Sequence, residues 1–90
     1  MNKTDEALLI LSEECAEVVQ AISKCQRFGI DNYKPGKPNS NREHLETEIG
    51  DLMAMILILE ELGVINPVRV HKHSLQKRNK LQQWSNLFKD

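Results

Sequence analysis

The chain has 90 residues, of which 40% are hydrophobic, 28% charged and only 4% aromatic. That balance describes one small globular domain, expected to span residues 1–90, and excludes a disordered chain; so few aromatics argue against a partner that stacks nucleic-acid bases. The net charge of −1 hides a division: residues 1–61 hold twelve acids and six bases, whereas residues 62–90 hold six bases and the single acid Asp90.

The first predicted element is a helix over about residues 4–28. Leu8, Leu11, Cys15, Val18, Ile22 and Cys25 recur at spacings of 3 and 4, the mark of an apolar helical stripe. Thr4 is the expected N-cap, Asp5 and Glu6 suit the positive end of the helix dipole, and Gly29 is the expected stop. Residues 29–42, GIDNYKPGKPNSNR, have no periodicity and read as a loop. Loops of this length in small domains are often functional, and this one carries Tyr33, Lys34, Lys37 and Arg42.

Ser40 and Glu43 fit the capping box S-x-x-E, so a second helix is predicted from Asn41 to about Leu62, with Gly63 after it. Its middle, Leu52 to Leu59, is apolar on every face, and a helix apolar all round is buried all round. One small chain has too little else to cover it, so self-association is expected. Asn66 and Pro67 read as N-cap and first residue of a third helix. On it Val68, Leu75 and Trp84 are expected to face inward, with a helical remnant reaching Phe88. No segment alternates like a strand, so the fold class is all-α: an antiparallel bundle of about three helices with a short C-terminal extension, completed by oligomerisation. No apolar run approaches the roughly 18–20 residues of a membrane span, and Met1–Glu6 has no signal-peptide core. Cys15 and Cys25 lie on one helix about 15 Å apart, too far for a disulfide. A cytoplasmic location and no membrane partner follow as expectations.

The carboxylates carry the chemistry. Glu13, Glu14 and Glu17 share one arc of the first helix, Glu17 lying about 60° from Glu14 and about 40° from Glu13. Like charges at i, i+3 and i, i+4 repel. The ordinary meaning of adjacent glutamates is a solvated acidic face. Glu48 and Asp51, one turn apart on the second helix, change the odds, because their face continues through Leu52, Met55 and Leu59 into the apolar stretch. Carboxylates on an apolar face need protonation, a basic partner or a divalent cation. No base lies between Arg42 and Arg69. Two carboxylate pairs on an antiparallel helix pair form an oxygen-only donor set that suits Mg²⁺, or Mn²⁺ in its place. A di-iron bundle would need Glu-x-x-His motifs, and none is present. His44, His71 and His73 read as surface residues.

Glu13-Glu14-x-x-Glu17 followed by Glu48-x-x-Asp51 resembles the signature of the all-α nucleoside triphosphate pyrophosphatase superfamily, closest to its small MazG-like branch. The resemblance covers about residues 4–62. It implies a Mg²⁺-dependent hydrolase that cleaves the α–β phosphoanhydride of a nucleotide, with Glu14, Glu17, Glu48 and Asp51 as metal ligands and Glu13 as a secondary acid. Glu14 or Glu17 is then the catalytic proton acceptor. It also implies a homodimer or homotetramer whose site a partner subunit completes. Two departures stand out: the segment between the motifs is long for the family, and the Lys and Asn that members carry one turn apart on the next helix have no clean counterpart. Lys72 and Asn79 share a face, with Lys77 and Arg78 as alternatives for binding phosphate. Tyr33, Lys34 and Lys37 are candidates for contacting the base from the loop. The rival expectation is a non-catalytic helical oligomerisation module whose basic tail touches nucleic acid.

Overall fold

The computed structural model describes residues 1–90 and contains three helices: α1 (Lys3–Phe28), α2 (Asn41–Glu61) and α3 (Pro67–Trp84). The all-α expectation holds, and no strand is present beyond an isolated antiparallel bridge between Tyr33 and Ser40. Helix α1 starts two residues earlier than the Thr4 cap predicts. Asn2 is the N-cap, and its side-chain oxygen accepts from the Asp5 amide at 2.8 Å. Gly29 ends the helix at φ 95°, a conformation that costs a glycine little and a side chain much. The capping box at α2 is complete: Ser40 and Glu43 each accept a hydrogen bond from the other's backbone amide. Asn66 caps α3 with Pro67 in its first turn, as the sequence predicts.

α1 and α2 form an antiparallel hairpin, and its seam differs from the predicted stripe. The buried residues of α1 are Ala7 and Ala21, the latter 0% exposed. Leu11, Glu14, Val18 and Cys25 are half-buried on the same line, while Leu8, Cys15 and Ile22 are exposed. The helix is therefore turned by part of a residue step, so that small alanines face α2. Methyl groups allow the backbones to approach closely, and that packing outweighs burying the larger Leu8 and Ile22. The core is small: Ala7, Met55 and Leu59, with Ile10, Leu11, Val64 and Ile65 packed against them.

α3 does not join this core. It has no buried residue, and Val68 and Trp84 are 76% and 84% exposed. The expectation that Val68, Leu75 and Trp84 face inward is corrected within one chain: only the linker residues Val64 and Ile65 dock, and the helix beyond them projects away. The radius of gyration is 16.1 Å, against about 12 Å for a compact chain of this length. The C-terminal remnant is a turn over Asn86–Lys89, closed by the Lys89 amide donating to Asn86 O at 3.2 Å, rather than helix.

The loop is fastened at its base. The Asn41 and Arg42 amides donate to Asn32 O and Ile30 O, both at 2.8 Å. The buried Asn41 side chain donates to Gly29 O at 2.8 Å, and Arg42 pairs with Asp31 at 2.9 Å. That pair holds the Asp31 carboxyl below the usual range, chiefly through the hydrogen bond. Asn41→Ala removes the part-buried hydrogen bond to Gly29 O and should lower unfolding stability by about 0.5–1.5 kcal/mol. Urea denaturation followed by circular dichroism measures it.

Candidate functional site

The hairpin seam places carboxylates from both helices against each other. Ala7 and Ala21 bracket Glu14 symmetrically on the inner line of α1, so Glu14 lies in the seam itself rather than beside it. On α2 the inner line runs Asn41, His44, Glu48, Asp51 or Leu52, Met55 and Leu59, carrying Glu48 and Asp51 to the same level. One carboxylate oxygen each from Glu14, Glu48 and Asp51 lies within 4.8 Å of the other two. Glu14 and Glu48 are half-buried and Asp51 is exposed at the rim.

The Glu14 carboxyl is pushed above the usual glutamate range, first by desolvation and then by the charges of Asp51, Glu48, Glu17 and Glu13. No Lys or Arg reaches any of the three acids. The chain has two ion pairs, Arg42–Asp31 and His44–Glu48, and in the latter the histidine Nε2 stands 4.0 Å from the glutamate. Three hard oxygen donors without a cationic partner, one of them disfavoured as an anion, fit a divalent cation. Glu17 and Glu13 are exposed on α1 and lie outside the trio, although both act on Glu14 through charge.

The sequence matches the MazG nucleotide pyrophosphohydrolase domain over residues 3–83, from the first residue of α1 almost to the last of α3. The chain belongs to the MazG nucleotide pyrophosphohydrolase family. Its members are metal-dependent hydrolases, in keeping with the acidic trio in this MazG domain. No curated protein and no solved structure matches the chain.

The remaining candidates fall into two groups. Tyr33, Lys34 and Lys37 line clefts at the loop end of the hairpin, beside the acids along α2. Lys72, Lys77, Arg78 and Asn79 are all exposed on α3, and Arg78 stacks over the Phe88 ring at 4.8 Å. A single chain does not bring these four to the trio. Sequence reasoning missed Lys24, which lines both loop clefts. Its signal is helical phase: it lies seven residues beyond Glu17, on the same face. Cys15, expected to be buried, is exposed, and Phe28 and Met53 are exposed as well.

A raised carboxyl value means that the folded chain binds more protons than the unfolded one. The contribution of Glu14 to the stability of the metal-free MazG domain should therefore fall as pH rises above the ordinary glutamate value of 4.5. Glu14→Gln should flatten that fall and raise the melting temperature in EDTA at pH 7. Differential scanning fluorimetry across a pH series measures both.

Proposed function

We propose that this MazG domain is a Mg²⁺-dependent nucleoside triphosphate pyrophosphohydrolase, converting a (d)NTP and water to the monophosphate, pyrophosphate and a proton. The observation that carries this reading is the trio Glu14, Glu48 and Asp51, gathered in a half-buried helix seam with no Lys or Arg partner. These three carboxylates would hold the ion, with Mn²⁺ as a substitute. When bound, the ion neutralises phosphate oxygens and makes water a better acid.

The protein groups around it have separable roles. Glu17, one turn along α1 and outside the trio, would accept the proton of the attacking water. Glu13 adds negative charge on the same arc and helps to hold the cation. Burial of Glu14 and Glu48 removes water that would otherwise solvate their oxygens, which strengthens their interaction with a cation. The free thiols Cys15 and Cys25 suit the reducing cytoplasm.

The working unit is a homodimer or homotetramer. Support comes from an uncovered stripe on α2, Ile49, Met53 and Leu57, spaced four apart and all exposed. It faces away from the seam to α1, and Leu8 and Ile22 of α1 are also left exposed. Sedimentation should give a dimer or larger species, and Met53→Glu with Leu57→Glu should shift it toward monomer while leaving helical content in place.

Incubation with a panel of (d)NTPs and Mg²⁺, read by anion-exchange chromatography, tests the activity. Monophosphate and pyrophosphate should appear. Glu48→Gln or Asp51→Asn should reduce the rate by more than the roughly 10–100-fold that loss of an outer-shell partner costs at metal sites. In the wild type, Mg²⁺ at 100 times its dissociation constant should add about 2.7 kcal/mol of stability. Orthophosphate as the sole product, or no product together with salt-sensitive DNA binding, would overturn the reading; the latter outcome is that of the oligomerisation module.

A further inference from the structure

The loop between α1 and α2 is built as a platform that presents cations. Its tip is Lys34-Pro35-Gly36-Lys37. Proline sets the backbone at the second position, Gly36 takes φ 77° at the third, and the Lys37 amide donates to Lys34 O at 3.0 Å. This is the signature of a type II turn, which holds its first and fourth residues within about 7 Å of each other. The two lysines therefore stand together at the corners of one turn. Below them the bridge between Tyr33 and Ser40 and the hydrogen bonds of Asn41 and Arg42 hold the loop in place.

Lys24 from α1 completes the set. It is half-buried and lines both of two adjoining clefts, of about 600 Å³ and about 250 Å³, together with Lys34 and Asn41. The smaller cleft adds Lys37, Asn39 and His44 and has no apolar side chain other than Pro38. Lys24, Lys34 and Lys37 have no carboxylate within 4 Å, and the loop's one acid, Asp31, is taken by Arg42. Three unpaired ammonium groups around one concavity concentrate positive potential there.

The position of this cleft gives it meaning. His44 lines it and also stands 4.0 Å from Glu48, so the cleft opens beside the acidic trio, one helical turn along α2. Three acids suited to a cation and three free lysines suited to an anion thus lie next to each other on one face of the hairpin.

We propose that the lysine cleft holds the β- and γ-phosphates of the substrate, and so the pyrophosphate that leaves, through Lys24, Lys34 and Lys37. Lysine acts on phosphate as a rotatable point charge and needs no fixed fork geometry, which suits a group that must be released. This role falls to the loop rather than to the exposed lysines of α3. The identity of the anion rests on the pyrophosphohydrolase reading; the existence of the anion site does not.

Calorimetric titration of the full chain with inorganic pyrophosphate, in EDTA and low salt, tests it. Pyrophosphate should bind at one site per chain. Lys34→Ala combined with Lys37→Ala, and separately Lys24→Gln, should each weaken binding by about tenfold or more, the scale of a lost hydrogen bond to a charged group. Both variants keep Pro35 and Gly36, and circular dichroism with the melting temperature verifies that they fold. Lys72→Ala with Lys77→Ala should leave the affinity in place. Unchanged pyrophosphate binding in the folded loop variants, loss of binding in the α3 variant instead, or no binding by the wild type would overturn the inference. Because the titration uses neither metal nor turnover, lysine-dependent binding in a protein that hydrolyses no (d)NTP would sink the enzymatic reading and leave the anion site standing.

Discussion

The closeness of α1 and α2 is the constraint on which the rest depends. Ala7 and Ala21 are the buried residues of α1, and Glu14 sits midway between them. Methyl groups at both ends of the seam let the helices come together, so the side chain between them is caught against α2. It meets Glu48 and Asp51 there. Burying carboxylates beside one another is costly, and the raised Glu14 carboxyl records that cost. The packing that makes the hairpin also creates the demand for a cation. A larger residue at either alanine would ease the repulsion by spreading the seam, and would spread the donor set with it.

The loop extends the same logic. A slack connection of this length would leave its lysines solvated and scattered. Here Asn41 is at once the first residue of α2, a buried donor to Gly29 O and the acceptor of the Cys25 thiol at 3.5 Å. One residue thus ties helix, loop base and α1 together, and the type II turn does the rest. The lysine cleft and the acids come to lie along one line of α2, where Asn41 and His44 border the cleft and Glu48 and Asp51 follow, because spacings of 3, 4 and 3 keep residues on one helical face. That alternation of sign fits a ligand that carries phosphates at one end of a bound cation.

What one chain leaves unfinished is equally informative. Six of 90 residues are buried, too few for a core that stands by its own apolar burial. In the proposed oligomer a further copy of the chain would cover the exposed Ile49–Met53–Leu57 stripe, and the α3 bases, remote from the trio in one chain, would be available to a neighbouring hairpin.

Much of this was legible along the chain. The capping box at Ser40, the Asn66-Pro67 start and the Gly29 stop all follow from local rules: hydrogen bonds within four residues and 3.6-residue periodicity. Three things were decided only by tertiary structure. The rotation of α1 that puts Ala7, Glu14 and Ala21 inward, in place of Leu8, Cys15 and Ile22, depends on how closely α2 can approach, and periodicity cannot separate two neighbouring stripes. The projection of α3 is not revealed by its own apolar residues Val68, Leu75 and Trp84, which the single chain leaves exposed. The meeting of Lys24 with Lys34 and Lys37 joins residues ten and more positions apart, through a loop folded back on the helix it follows. Charge at that spacing is invisible to local rules, because only a closed loop turns distance along the chain into proximity.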